Sequence, residues 1–487
     1  PALAHLAERE REIMKFIPEP YWQIFINLDI EKQPFQAVHE KEKFEKEDEA
    51  KAIFKKIKDK DAKVIDIKKT EQTVNPPTPF DLTSLQIEAW RCFRISPKQT
   101  LQIAQELYTA AFISYPRTSS QKLPDSINYK KILSDLIKNP KYSNLCAKLL
   151  KKSNLKPNEG KKDDPAHPAI YPTGEIAENL NKQQQSIYDL IVKRFVAVFG
   201  EDAKRETTKV TFDVEGELFI LKGTRTTKQG WQEDYAPYVK KEEVELPSTP
   251  KGTKYQQKSQ LDKKETTPPK RYTPASIIKE LEKENLGTKS TRAAIIDTLY
   301  QRGYIKDTNI KVTELGLKIV DIFGKYAPEI LSKELTRQFE SDMEKIREGE
   351  LKPDKILAAA KKLITDICSL FAKNRELIGK DLAEAIHAAA KSKNELMVCP
   401  KCNVGKINII FSKKTGKRFL ACNKYPDCKN TWPLPQKGLI KILEDKCKEC
   451  NTPHMQIISK GKRPWRFCPN PNCPTKAMQP QAQPKTD

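Results

Sequence analysis

Eight cysteines toward the end of the chain constrain its fold more than any other feature. They stand as Cys399, Cys402, Cys422 and Cys428, then Cys447, Cys450, Cys468 and Cys473, giving C-x2-C-x19-C-x5-C and C-x2-C-x17-C-x4-C. A C-x2-C pair turns two thiolates toward one point, and two such knuckles supply the four ligands of a tetrahedral zinc ion. Four protein ligands leave no position for a water, so each of the two zinc ions is read as structural. Modules this small bury too little apolar surface to fold unaided, and loss of zinc is expected to unfold them. His454 lies beside the second set, but four cysteines already fill that shell, so it is placed at the surface. Cys92, Cys146 and Cys368 sit in apolar helical sequence and are read as small buried hydrophobes.

Charge narrows the partner. Lys plus Arg number 88 against 65 Asp plus Glu, a formal net charge of +23 over 487 residues. Such an excess points to a polyanion, and nucleic acid is the usual one because each neutralised phosphate releases a counterion. Membrane binding is the competitor, yet no apolar run approaches the roughly 18 residues of a spanning helix, and no signal peptide opens the chain. A cytoplasmic, nucleoid-associated protein with no membrane partner is expected. The chain opens at Pro1 on an uncapped helical pattern, which reads as the downstream part of a larger protein.

Periodicity then divides the chain. Alternating aromatic and β-branched residues from Pro18 to Ile30 predict a strand, Glu40 to Lys60 a charged helix, and Val64 to Val74 a second strand. A linker, Asn75 to Phe80, leads into helical sequence from Thr83 to Leu107 and again from Ile127 to Leu150 and from Gln183 to Phe199. Glu206 to Glu245 alternates as β structure, whereas Pro247 to Lys270 is polar and reads as a linker or exposed hairpin. Thr273 as N-cap with Pro274 at the first helical position starts a helix. A Gly-containing turn and a second helix, Thr291 to Ile305, complete a helix-turn-helix with a wing. Lys476 to Asp487 reads as a disordered tail.

The chemistry centres on AFISYPRTSSQKLP, Ala111 to Pro124. Pro116 stops any regular element directly after Tyr115, so the phenol is presented at the mouth of a loop; a tyrosine capping a core is the alternative. Arg117, two residues on, shares a face with Tyr115 in extended chain and can hold a phosphate through two hydrogen bonds. A phenol with a pKa near 10 is a poor nucleophile until a cation or base assists its ionisation, and Tyr115 with Arg117 has the makings of a nucleophile for phosphodiesters. His167 lies in a Pro-flanked loop, and its value depends on whether the fold brings it to Tyr115. In the cysteine modules, Lys414, Lys417, Arg418 and Phe419 precede one third cysteine, and Lys462, Arg463, Trp465, Arg466 and Phe467 the other. Phe419 and Trp465 beside such cations suit single-stranded nucleic acid, with protein contact as the rival.

FISYPRTSS resembles the active-site segment of type IA DNA topoisomerases. TSLQIEAWR (Thr83 to Arg91) and TLQIAQELY (Thr100 to Tyr108) are similar to the family's lead-in helices, and AHPAIYPT (Ala166 to Thr173) to its histidine loop. TPPKRYTPASIIKELEKENLGTKSTRAAII (Thr267 to Ile296) resembles its winged-helix DNA contact, LTRQFESDMEKIREGE (Leu335 to Glu350) a further block, and CPKC with RFLACNKYPDC (Arg418 to Cys428) its zinc ribbons. These matches run in family order along nearly the whole chain. The resemblance implies an α+β, mainly helical, toroidal core with winged-helix-like domains, a β-rich bridging domain and two C-terminal zinc ribbons. Its segments would be a start helix of the winged-helix domain (1–20), the bridging domain (21–75 and 201–265), a catalytic tyrosine domain (76–200), the winged-helix domain (266–395), two ribbons (396–435 and 440–475) and the tail (476–487).

The same resemblance implies ATP-independent cleavage of one strand through a 5′-phosphotyrosyl ester, followed by strand passage and religation. Tyr115 would be the nucleophile, Arg117 would position and neutralise the phosphate, and His167 would hydrogen-bond it or assist proton transfer. Lys289, Ser290, Thr291 and Arg292 would contact DNA that is mainly single-stranded or negatively supercoiled, although Ser290 as an N-cap would also explain itself. The family's magnesium sits on a glutamate and an Asp-x-Asp pair of a TOPRIM domain. No equivalent is found here, because Asp59-Lys60-Asp61 has the spacing but reads as the solvated surface of a charged helix. A chain lacking TOPRIM is therefore expected, with a separate TOPRIM-bearing polypeptide as a candidate partner. The topoisomerase half of a reverse gyrase and a non-catalytic single-strand-binding zinc protein are the alternatives.

Overall fold

The computed structural model describes residues 1–240, 243–347, 349–412, 414–459, 461 and 463–474. The expected tail, Lys476 to Asp487, and Lys462 lie outside them. The chain divides into two compact units, Pro1–Ser369 and Leu370–Asp487.

The first unit begins with α1 (Ala2–Lys15), β1 (Pro20–Ile30), β2 (Gln33–His39), α2 (Glu47–Ile57) and β3 (Ala62–Val74). Next come α3 (Leu82–Phe93), α4 (Pro97–Thr109), α5 (Tyr129–Leu136), α6 (Ser143–Leu150) and α7 (Lys182–Ala197). The chain returns to strands with β4 (Ala203–Val214) and β5 (Glu217–Lys228), a short α8 (Trp231–Asp234), β6 (Lys254–Tyr255) and β7 (Gln257–Glu265). It continues through α9 (Pro274–Lys283), α10 (Arg292–Gln301), β8 (Ile305–Lys306), β9 (Lys311–Val312), α11 (Glu314–Tyr326), α12 (Lys333–Arg347) and α13 (Pro353–Lys373), within which the two units divide.

One seven-stranded sheet, ordered β6-β3-β4-β5-β2-β1-β7, joins strands from before and after the helices α3 to α7. β1 alternates buried and half-buried residues, so Ile24, Ile26 and Leu28 enter a core with Phe44, Phe212 and Phe219. The reading of Pro247 to Lys270 as a linker or exposed hairpin is corrected here: Gln257–Glu265 is a strand of the sheet, antiparallel to β1 over Pro20↔Glu265 to Leu28↔Gln257. Its apolar content is low because it is an edge strand, and Lys258, Lys263 and Lys264 are the kind of side chain that keeps an edge from pairing further. The charged helix is also shorter than expected, spanning only Glu47–Ile57, since Phe44 before it pairs with Trp22 of β1. Asp59 and Lys60 lie in the turn after α2, with Asp59 at φ 59°, and all three residues of the Asp59-Lys60-Asp61 run are exposed.

The helices between the two strand groups form a second core. Leu85, Ala104, Leu107, Ile113, Ile170, Ile191 and Phe195 are buried together there. Local signals set the boundaries. Asp81 caps α3 in a reciprocal capping box with Ser84, Arg94 leaves it in a left-handed conformation, and Ser96 caps α4 with Pro97 at its first turn. Cys146 is buried and Cys92 half-buried, and burial pushes each thiol up to about 11. Cys368 is exposed, contrary to its reading as a buried hydrophobe, because it falls on a face of α13 that nothing covers among the described residues.

A third core joins α1 to the helix-turn-helix. Leu6 packs with Ile277, Leu281 and Ile296, and buried Glu10 takes two hydrogen bonds from Arg271, at 2.7 and 3.1 Å. Thr273 and Ser276 form the capping box of α9, and β8 with β9 make the two-stranded wing.

The second unit contains α14 (Arg375–Asn394) and two small antiparallel sheets. β10 (Glu395–Val398), β11 (Lys406–Phe411), β12 (Arg418–Cys422) and β13 (Thr431–Pro433) form the first. β14 (Leu439–Lys446), β15 (Pro453–Ile458) and β16 (Trp465–Phe467) form the second.

Candidate active site and zinc centres

The loop that carries Tyr115 is fixed by backbone hydrogen bonds to the histidine loop. Ile113 bridges Pro172, Ser114 N donates to Tyr171 O at 2.9 Å, and Ala169 N donates to Lys122 O at 2.9 Å. Thr118, fully buried, donates its hydroxyl to His167 O at 3.1 Å, and Leu82 N at the start of α3 donates to Thr118 O at 3.0 Å. Between these anchors Tyr115 is half-buried over a buried Pro116. Its ring stands 4.4 Å from that of His167 and meets Tyr108 edge-on at 5.3 Å, centroid to centroid. The fold therefore brings His167 to Tyr115, which spacing alone could not decide. Among the described residues the Tyr115 hydroxyl makes no hydrogen bond.

Arg117 is half-buried beside it. Its Nε donates to Gln105 Oε1 at 3.3 Å, which fixes the stem while both terminal nitrogens lack a hydrogen-bond partner among the described residues. A guanidinium held this way can turn its fork toward a phosphate.

Asp164 is a residue that the sequence does not single out. Its carboxylate is buried and accepts from Ser119 N and Oγ, each at 3.3 Å, and from Ala166 N at 3.2 Å. Lys289, from the turn between α9 and α10, completes the set with a short ion pair to the same carboxylate. Burial alone would raise the acid, but these donors, Lys289 foremost, hold it down to about 2. The only signal in the sequence is an acid three residues before the Pro-flanked histidine.

The remaining helix-turn-helix residues divide. Ser290 is half-exposed and its hydroxyl lies 3.1 Å from that of Thr288, while Thr291 is exposed and accepts from Thr288 N at 3.0 Å. Ser290 does not cap α10: the N-cap position is Thr291, because the turn extends one residue further before the helix begins. Arg292 is buried, with Nε donating to Leu286 O at 3.1 Å and Nη1 3.7 Å from Glu282. It therefore braces the turn from inside. A cavity of about 480 Å³ opens beside it, lined among others by Ser119, Lys289, Arg292 and Arg337.

Each cysteine set closes on one point. The Sγ atoms of Cys399 and Cys428 lie 3.8 Å apart and those of Cys402 and Cys422 3.7 Å. In the second set the pairs Cys447–Cys473 and Cys450–Cys468 stand at 3.6 and 3.4 Å. Tetrahedral zinc with Zn–S near 2.3 Å requires sulfurs about 3.8 Å apart, whereas a disulfide needs about 2 Å. The thiols therefore fit zinc. Asn403 and Asn451, the residues after each C-x2-C, both take left-handed φ, 54° and 53°, a conformation asparagine tolerates. A Cβ on Gly405 would stand 2.5 Å from the Cys422 sulfur, so the knuckle excludes any larger residue.

The presumed DNA-facing residues of the ribbons are unequal. Trp465 is 57% exposed and stacked on Phe467 at 4.8 Å, whereas Phe419 is half-buried within β12. Arg418 donates to the carbonyls of Pro435, Lys437 and Gly438, so it holds the segment between the ribbons. His454 is half-buried and pairs with Asp445 at 2.6 Å, outside the metal set.

With this geometry the comparisons with known proteins agree. Residues 1–358 match a protein-family model described as DNA topoisomerase. DNA topoisomerase 1 of Methanocaldococcus jannaschii is 47% identical over 483 residues, covering 98% of this chain and 62% of that protein. DNA topoisomerase 1 of Pyrococcus horikoshii is 46% identical over 480 residues, covering 97% and 69%. The chain belongs to the type IA DNA topoisomerases. It spans about two thirds of the length of these relatives. Residues 397–437 match the topoisomerase DNA binding C4 zinc finger, which is the first ribbon. Full-length topoisomerase I from Thermotoga maritima shares the type IA fold, with a TM-score of 0.60 and 24% identity over 91% of this chain and 71% of that one.

Proposed function

We propose that this chain carries the strand-cleaving tyrosine and much of the DNA-holding surface of a type IA topoisomerase. The observation that carries the reading is Tyr115, half-exposed against His167, with the Arg117 fork unengaged two residues away. Tyr115 Oη bonds to phosphorus as the P–O3′ bond breaks; the phenol loses its proton and the leaving 3′-oxygen gains one. The products are a 5′-phosphotyrosyl ester and a free 3′-hydroxyl. The ester conserves the phosphodiester energy, so the reverse attack reseals the strand without ATP. Arg117 neutralises charge that develops on the phosphate, and His167 hydrogen-bonds the phosphate or assists the proton.

Ser290 and Thr291 at the exposed turn, with Lys289 beside them, hold the single strand that feeds the site. In the second unit, Trp465 and Phe419 offer aromatic rings on which bases of single-stranded DNA stack. Magnesium, when held by TOPRIM carboxylates, supplies further charge neutralisation at the phosphate. No residue of this chain is assigned to it, and the TOPRIM part comes from elsewhere in the same protein or from a separate polypeptide. The place of action is the cytoplasm, at the chromosome.

Covalent trapping tests the reading. The chain is incubated with labelled single-stranded DNA and magnesium, with and without a TOPRIM-bearing fragment, and then denatured. A DNA-linked band that Tyr115→Phe abolishes is expected. No band under either condition refutes the enzyme, and a band that survives Tyr115→Phe refutes the nucleophile.

A further inference from the structure

The tyrosine loop, the histidine loop and the helix-turn-helix meet at one buried carboxylate. Asp164 binds Ser119, four residues after Tyr115, binds Ala166, next to His167, and pairs with Lys289 from the other core. We propose that Asp164 is a positioning residue that competes with a strand phosphate for Lys289, so that DNA entering the turn takes the lysine and loosens the contact between the two cores. This rests on the reading of the chain as a single-strand-binding topoisomerase part.

Three observations support the exchange. The first is exposure: the Lys289 side chain is 33% exposed and that of Asp164 only 3%, so a phosphate can reach the ammonium from the cavity without reaching the carboxylate. The second is that Asp164 is not stranded when Lys289 leaves. Ser119 N, Ser119 Oγ and Ala166 N remain as donors, and a carboxylate with several neutral donors can stay ionised while buried.

The third is the character of the contact. α3 lies against α9 and α4 against α10, yet the buried apolar clusters of the two sides are separate. Besides Lys289–Asp164, the ion pairs Lys98–Asp297, at 2.6 Å, and Lys162–Glu282, at 3.0 Å, cross between them. Their lysines are 51% and 43% exposed, so water and salt reach them. Such a contact can part without exposing a hydrophobic core, and removing its one buried member is a defined step toward parting.

Competition has a sign that a purely structural role lacks. Binding of a fluorescent 12-residue oligothymidylate is measured by anisotropy at fixed salt for the unaltered chain, Asp164→Asn, Lys289→Met and the double variant. Removing the competitor in Asp164→Asn is expected to tighten binding about three- to tenfold, the scale of one charge-assisted contact. Lys289→Met weakens binding, and in its background the gain from Asp164→Asn disappears. An unchanged or weakened affinity in Asp164→Asn, or a gain that persists without Lys289, overturns the proposal.

Hydrogen exchange keeps the test open should Asp164→Asn not fold. Lys289→Met without DNA and the unaltered chain with saturating oligonucleotide should both show faster exchange across 164–167. Unchanged protection in Lys289→Met overturns the exchange. If the unaltered chain binds no oligothymidylate, the functional reading itself fails; binding without the coupling sinks only this inference.

Discussion

Stripping the zinc should unfold both ribbons, and the number of protons returned on refilling them measures how completely. The buried apolar side chains of the first ribbon include Leu396, Ile407, Leu420, Trp432 and Leu434, closed by the cysteine sulfurs themselves. A core of that size does not repay the ordering of its chain, and structural zinc in small modules contributes about 10–16 kcal/mol. A thiol in unfolded chain has a pKa near 8.5, so at pH 7 nearly all four are protonated, and zinc uptake by an unfolded ribbon expels about four protons. A ribbon that stayed folded without metal would differ. Burial pushes Cys399 up, but hydrogen bonds from Asn430 and neighbouring backbone bring it down to about 6, and contacts with Thr452 do the same for Cys450. At least one thiol of each set would then be ionised already, Cys402 being lowered beside Cys399 in the first, and release would fall to about three protons per ion or fewer. Calorimetric titration of the metal-stripped chain with zinc, in two buffers of different ionisation enthalpy, reads the number. The expected result is two zinc ions and about eight protons per chain. A value near six or below refutes coupled folding, and fewer than one zinc per chain refutes the ribbons.

Other expectations follow from single contacts. Arg117→Ala should slow single-turnover cleavage by about 10²–10³, the loss found when one donor to a developing charge is removed, while oligonucleotide affinity falls only a few-fold because many cations share the backbone; equal losses would contradict its role at the phosphate. Asp164, held at about 2, lies below its unfolded value, so its stabilisation is complete above about pH 4 and is lost as pH falls toward 2. That amounts to about 2 kcal/mol, and urea unfolding between pH 5 and 3 should lose about half of it in the unaltered chain and not in Asp164→Asn. Glu10→Ala leaves Arg271 without its buried partner and should destabilise the helix-turn-helix core by about 2–3 kcal/mol. That is less than for a fully buried pair because Arg271 is 31% exposed, and the loss is read as faster exchange in α1 and the wing. Trp465→Ala should weaken single-strand binding by about 1–3 kcal/mol with zinc content unchanged; an unaltered affinity would favour protein contact at that face.

What the sequence disclosed depended on how local the physics is. Cysteine spacing is a distance constraint within a few residues, and Thr273-Pro274 starts a helix through the residues next to it, so both were legible. Gln257–Glu265 was not, because its place is set by backbone pairing with Pro20–Ile30, more than two hundred residues away, and that pairing asks little of the side chains. The site shows the same division. Tyr115, Arg117 and His167 could be picked out by residue type, but Asp164 looks like any acid in a polar loop until the fold sets Ser119, Ala166 and Lys289 around it. Arg292 shows the opposite case: a cation expected on DNA is largely buried, with its guanidinium on the Leu286 carbonyl and near Glu282, which residue type could not foretell.

Two kinds of bond hold the candidate site together, and they respond differently to conditions. Tyr115 and His167 are registered by backbone hydrogen bonds over one buried core, which salt does not screen. Lys289, Ser290 and Thr291 belong to another core, and three ion pairs tie it to the first. The Debye length shrinks from about 10 Å at 0.1 M salt to about 3 Å at 1 M, which weakens the two solvent-reached pairs and the phosphate contacts together. Rising salt should therefore loosen the grip on the strand while Tyr115 keeps its place against His167. Cleavage of a saturating short substrate should in consequence survive salt concentrations at which binding at limiting substrate has already failed.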